Sequence, residues 1–582
     1  MKKTAKRLTN LSNTSIKYFR EAVRTRSFYL NLAFIIFIFA IYYISTFHES
    51  YPDEYDNILG GKLILQGLLP YIGFFSHHGP VPYFLAAFLE VFTGPSFVKF
   101  RVLYSMFLAG FTLWTFYYLR HKFGSYVTKF YGYFIVLLAF SAVYFWGHML
   151  VADSLAAFFL LPVVALLILT SINKKELNVW DIFVISILSF LALLTAITYI
   201  YVVFLIYLYT AYYCLKQNKF RILSAELVKA FLIIIAPFIL FILYLLITGS
   251  LKDYFTQSII FNQKYYIYNY PGSSGSFNPL RYGITTAYRF YINFTGLLHQ
   301  IPSWNFGFPF NITLAVANTS LIIYLLANRK FTLTALLIGL LIFSNVRSNP
   351  LESGEEDYQS AVYIVISLFN MCLTLYLVYR ELRDNQNFAK RVINTFILIL
   401  LGLYSIFTSI FVLQKFSSKA YDKYMGNASL IYDRPEVAKY LNNVIDKGET
   451  IWYGPLEFKE MLYSTGTIPS RFHMLIPGIG RSPELSQDMV KSYEASKPRL
   501  IWFNKRYSIL GQTPPDYAPF FMSFLDKNYI TILELAKSGN KYTSLIPVEL
   551  NRDFETMLYI RRDKVDEVLP KLIEVNIIKK SD

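Results

Sequence analysis

Cysteine is nearly absent from these 582 residues, and the two present, Cys214 and Cys372, fall in or beside apolar segments. That excludes a disulfide framework and a metal centre built on cysteine. Charge is also scarce: 16% of residues are charged against 55% hydrophobic and 18% aromatic, a balance that a single soluble domain of this length does not sustain. Polar sequence is missing over long runs. A helix crossing about 30 Å of hydrocarbon needs about 20 mostly apolar residues, and runs of that kind recur from Ser27 to about Leu413 and then stop. The basic N-terminus, MKKTAKRLTNLSNTSIKYFREAVRTR, precedes a long apolar segment without a small-residue cleavage site, so it reads as a retained first span.

What is present fits a polytopic α-helical membrane protein with a small C-terminal α/β region. The expected division is a basic cytoplasmic N-terminus at 1–26, a membrane domain at 27–414 and a soluble α/β domain at 415–582. The net charge of +17 concentrates at Arg120-His121-Lys122, Lys174-Lys175, Lys216–Arg221, Asn328-Arg329-Lys330 and Arg380–Arg391, so it reads as membrane topology rather than nucleic-acid binding. About eleven spans follow, near 27–47, 98–119, 128–147, 154–171, 180–197, 199–215, 226–247, 309–327, 331–345, 360–379 and 392–413. Val81–Phe92, bounded by Pro80 and Gly94-Pro95, is too short to cross and is assigned to the interface. The N-terminus then lies inside and the tail outside the cytoplasmic membrane. In the tail, ETIWYG, PRLIWF, YITILEL and TMLYIRR read as strands, RPEVAKYLNNVID and LSQDMVKSYEAS as helices, and no phosphate-binding glycine pattern appears.

The residues suited to chemistry gather on the expected outer face. Asp53 and Glu54 follow Pro52 where the chain leaves the first span, in YPDEYDNILGGKLILQG, and Asp153 opens a later span in HMLVADSLAAFF. Each aspartate suits a helix cap as well as a catalyst, and three carboxylates converging on one face point further than any one of them. Arg101, Arg347 and Lys62 supply cations for phosphate oxygens, with snorkelling the simpler role for Lys62. His77, His78 and His148 are further candidates for substrate contact, or, with the carboxylates, for a divalent cation such as zinc. These groups fit a glycosyl transfer in which a carboxylate deprotonates the acceptor and fixed cations neutralise a departing lipid phosphate. A flippase or permease for lipid-linked sugars and a non-catalytic envelope scaffold are the competing readings. Few ionisable residues at mid-depth in the spans disfavours the first.

Over residues 30–200 the chain resembles the GT-C superfamily of polyprenol-phosphate-sugar-dependent glycosyltransferases, in the group of protein O-mannosyltransferases and the lipid A aminoarabinose transferase. The resemblance rests on Asp53-Glu54, on Pro70-Tyr71, Pro80 and Arg101 within GKLILQGLLPYIGFFSHHGPVPYFLAAFLEVFTGPSFVKFRVLYSMF, and on Asp153. WYGPLEFKEMLYSTGTIPSRF is similar to tails of some bacterial members. The resemblance implies a polyprenyl-phosphate sugar donor, an extracytoplasmic acceptor, Asp53 as base, Glu54 and Asp153 as orienting groups, and Arg101 on the lipid phosphate or bracing the site. His78-Gly79-Pro80 departs from the Lys-Pro of several relatives.

Overall fold

The computed structural model describes residues 26–216, 225–269, 283–288, 291, 309–344, 358–384, 388–424, 435–537, 542–545 and 548–580. Arg347 and most of the N-terminal segment lie outside them, as does the Tyr-rich loop beyond Asn269.

Each expected span is a helix. Seven helical stretches are long and apolar enough to cross a membrane among the described residues: Ser27–Ser45, Phe97–Phe123, Ala152–Ile172, Ile197–Lys216, Val228–Ile247, Tyr358–Arg383 and Asn394–Tyr421. The other four expected spans are shorter apolar helices, Lys129–Ser141, Val179–Thr195, Leu314–Ala327 and Phe331–Ser344. The chain is a multi-pass helical membrane protein.

The elements that position the site are α1 (Arg26–Ser45), α2 (Pro52–Leu65), α3 (Val81–Thr93), α4 (Phe97–Phe123), α5 (Ser125–Ser141), α6 (Ala152–Ile172) and α7 (Val179–Thr195). Helix α6 is buried on all sides from Asp153 to Thr170, which is why its sequence is apolar all round rather than striped. The join around Thr198, expected to have almost no loop, is a single 3-10 turn, Ile197–Tyr199.

Helices α2 and α3 lie against one another between the first two spans. Their close approach needs Gly60 and Gly61: a Cβ at Gly60 would come within 2.2 Å of the Tyr83 ring, and one at Gly61 within 2.7 Å of the Ala86 Cβ. The loop joining them passes tightly under the end of α7, where a Cβ at Gly79 would meet the Leu194 carbonyl oxygen at 1.8 Å.

The bundle has two chemically different ends. At one, Lys122 pairs with Asp181, Lys175 donates to the Lys122 carbonyl at 2.6 Å, and Arg120 donates to Asn31 at 3.1 Å. At the other lie α2, α3 and the C-terminal region. There β1 (Ile451–Gly454), β2 (Leu500–Phe503), β3 (Tyr529–Thr531) and β5 (Leu558–Arg561) form a sheet of order β1-β2-β5-β3, with β1 and β2 parallel and the remaining pairs antiparallel. A further pair, β4 (Tyr542–Ser544) and β6 (Ile578–Lys580), was not among the expected strands.

Candidate active site

Helix α2 starts with Pro52 in its first turn, where a missing N–H costs nothing. Its cap position is Tyr51, which makes no side-chain cap bond. In α6 the cap is Val151, again without one. Asp53 and Asp153 therefore sit inside the first turn of their helices rather than on the caps, where the helix dipole favours their negative charge.

These two aspartates, a hundred residues apart in sequence, line one small cleft together with Asn57, His78, Ala152 and Tyr358. Asn57, one helical turn beyond Asp53, donates to the Leu150 carbonyl at 2.8 Å and so ties α2 to the turn that starts α6. The Tyr199 hydroxyl donates to Asp153 Oδ1 at 2.8 Å. The Tyr358 hydroxyl lies 3.4 Å from Asp53 Oδ2. Tyr358 stacks on Trp146 with ring centres 5.0 Å apart, and Trp146 in turn lies 4.7 Å from Tyr51. The result is an aromatic wall beside a pair of carboxylates.

Glu54 is not part of that wall. Arg101 grips it with two bonds, Nε to Oε1 at 2.8 Å and Nη2 to Oε2 at 2.5 Å, and both side chains are fully buried. The remaining N–H groups reach the carbonyls of Thr46 at 3.0 Å, His48 at 2.6 Å and Glu49 at 2.7 Å. All five guanidinium donors are thereby satisfied within the protein. Of the two roles expected for Arg101, lipid-phosphate contact and bracing, the geometry is that of a brace, closing the turn between α1 and α2.

Lys62 is likewise committed. Its ammonium donates to the carbonyls of Met461 at 3.0 Å, Leu462 at 2.9 Å and Ser464 at 3.0 Å, capping the end of the short helix α8 (Phe458–Tyr463). Three donors meet three acceptors, leaving none for a phosphate; burial holds the ammonium down at about 8.

Of the histidines, His78 reaches the cleft. His77 packs in an aromatic cluster with Tyr266, 4.7 Å away, and Phe261. His148 is fully buried beside His48, 5.6 Å away. Burial, reinforced by the Arg101 charge, holds its imidazole well below the usual histidine value, so it supplies no cation to a phosphate. Arg347 lies outside the described residues. Among the described residues no three His, Cys, Asp or Glu side chains are grouped to hold a metal ion.

Sequence reasoning passed over Asn57, Trp146, Tyr199 and Tyr358. Asn57 had a signal: four residues after Asp53, it shares that residue's helix face. The aromatic residues had none, in a chain with 48 tyrosines.

A multi-pass helical membrane protein with a carboxylate-lined cleft at one end is the class that fold and site define. No family model matches the chain, and no curated protein matches it. Among solved structures it is similar to ArnT from Cupriavidus metallidurans bound to undecaprenyl phosphate, with 12% identity over 87% of this chain and 96% of that one and a TM-score of 0.46. It is also similar to the apo state of the same protein, with 12% identity over 82% and 94% of the two chains and a TM-score of 0.48.

Proposed function

We propose that this protein is a membrane glycosyltransferase that moves a sugar from a polyprenyl phosphate to a hydroxyl-bearing acceptor at the end of the bundle that carries the C-terminal region. The observation that carries the reading is the convergence of Asp53 and Asp153 on one cleft, beside an aromatic wall that suits a sugar face.

The chemistry needs little more. The bond from the anomeric carbon to the phosphate oxygen breaks, the bond to the acceptor oxygen forms, and the acceptor proton passes to a carboxylate. Asp53 takes that proton as general base. Asp153, held by Tyr199, orients the acceptor. The phosphate leaves as an anion and needs no proton of its own; His78 is the basic group at the cleft placed to meet it.

The basic turns at the opposite end support a cytoplasmic location for that end. Residues 1–26 then lie inside, 27–414 form the transferase domain, and 415–582 form an extracytoplasmic domain of a cytoplasmic-membrane protein. Purified protein incubated with radiolabelled polyprenyl-phosphate sugars and crude envelope acceptors should move label from lipid to acceptor. Label that stays on every donor tested, with folded protein present, contradicts the reading.

A further inference from the structure

A buried chain of hydrogen bonds runs from the C-terminal region into the cleft. His473 Nε2 lies 2.8 Å from Asp56 Oδ1. The Tyr83 hydroxyl donates to Asp56 Oδ2 at 3.0 Å. Ser76 Oγ lies 2.9 Å from the Tyr83 oxygen and accepts the His78 backbone N–H at 3.1 Å. His473, Asp56, Tyr83 and Ser76 are all buried, and His78 lines the cleft.

The direction of every bond follows from the acceptor at the end. A carboxylate only accepts, so Tyr83 gives its proton to Asp56 and His473 presents Nε2–H to the other oxygen. Tyr83 is then left to accept from Ser76, whose single proton goes there rather than to the His78 carbonyl 3.4 Å away. Ser76 in turn accepts from the His78 amide. Every donor has one acceptor, and the polarity converges on Asp56 from both sides.

The far end of the chain is tightly held. The His78 carbonyl accepts from Tyr71 at 3.0 Å and from Ser258 at 3.3 Å. Gly79 follows with no room for a side chain. The Phe75 amide donates to the Arg471 carbonyl, two residues from His473, at 2.7 Å. Asp56 also stands on α2 one turn beyond Asp53, so the same helix carries the cleft carboxylate and the anchor of the relay.

We infer that His473 is a positioning residue for the cleft: through Asp56, Tyr83 and Ser76 it fixes the backbone of His78, which makes the C-terminal region a working part of the site rather than an accessory. This deepens the transfer reading and rests on it.

Three variants test it. His473→Ala removes the first link, His473→Gln keeps a donor for Asp56, and Tyr83→Phe removes the middle hydroxyl while keeping the ring that packs on Gly60. In detergent-purified protein, hydrogen exchange at the His78 amide should accelerate about tenfold in His473→Ala and Tyr83→Phe, because Ser76, its acceptor, is no longer oriented through Tyr83 and Asp56. In the transfer assay, kcat should fall about tenfold with the donor KM within about twofold, since misplacement acts on the reacting geometry. His473→Gln should restore both. Native exchange rates in His473→Ala and Tyr83→Phe overturn the inference, and so does faster exchange with unchanged kcat. A lower melting temperature with native kcat per folded molecule also overturns it, because that is what a merely structural contact gives. Native protein that transfers nothing from any donor overturns the reaction itself, which separates the two failures.

Discussion

Asp53 and Glu54 are one peptide bond apart and face different surroundings. Helix geometry turns Glu54 to Arg101 and leaves Asp53 to the cleft. Their variants should therefore fail differently. Arg101→Ala leaves the Glu54 carboxylate buried without its partner, at a cost of about 3–5 kcal/mol. The expected outcome is loss of folded protein, read by thermal unfolding and size-exclusion chromatography in detergent; a native melting temperature would show the pair to be dispensable. Asp153→Asn should keep its fold, since Asn can still accept from Tyr199, and lose transfer by about a hundredfold or more. That both aspartates reach one cleft was foreshadowed by their place beside the spans, and the facing of Glu54 was not. It depends on where Arg101 enters, 47 residues later, and no local pattern encodes that. Asp56 and His473, 417 residues apart, were beyond reach for the same reason.

At the scale of elements, the apolar runs located the seven helices long enough to cross a membrane among the described residues and four shorter apolar ones, because burial in lipid demands apolar length before anything else. The tail was harder. YITILEL read as a strand from its alternating apolar residues, yet only Tyr529–Thr531 is extended and Ile532–Lys537 is helical. The reason was visible: Thr531 and Glu534 form a reciprocal cap, Thr531 N–H to Glu534 at 2.9 Å and Glu534 N–H to Thr531 Oγ1 at 3.3 Å. That T-x-x-E signature starts a helix and outweighs the pattern. Gly79→Ala forces a methyl against the Leu194 carbonyl and should destabilise by about 1–3 kcal/mol, with transfer reduced; native stability and activity would show that the loop can yield. Glu457 sits at the start of α8, and burial, together with Glu460 and Glu436, raises its carboxyl to about 7 from its ordinary 4.5. The folded state thus holds a proton that the unfolded state releases between those values. The associated stability is complete below about 4.5 and is lost as pH rises through about 7. Glu457→Gln should flatten the fall of melting temperature across that window; an unchanged slope would show that Glu457 does not cause it.

For the whole molecule, the joining of C-terminal region and bundle is the feature with most consequence. Lys62, Asp56 and Phe75 each bond to residues 461–473, so α2 and the cleft loop are built jointly by segments about 400 residues apart. Composition separates an apolar part from a mixed one; their union comes from contacts that composition does not carry. The segregation of basic turns to the opposite end predicts the sidedness. Both native cysteines are buried, so introduced ones can be read against a silent background. Glu494→Cys, at an exposed position, should react with an impermeant thiol reagent applied to intact cells, and Lys175→Cys only after the membrane is opened. The reverse pattern would invert the topology.

The most direct test of the central claim is the release of polyprenyl phosphate by purified native protein and by Asp53→Asn, each given the same labelled donor and acceptor. The account predicts acceptor-dependent release by the native chain and a loss of about a thousandfold or more in the variant, with donor binding and melting temperature unchanged. Release at the native rate from Asp53→Asn would contradict the assignment of that carboxylate as the base of the transfer.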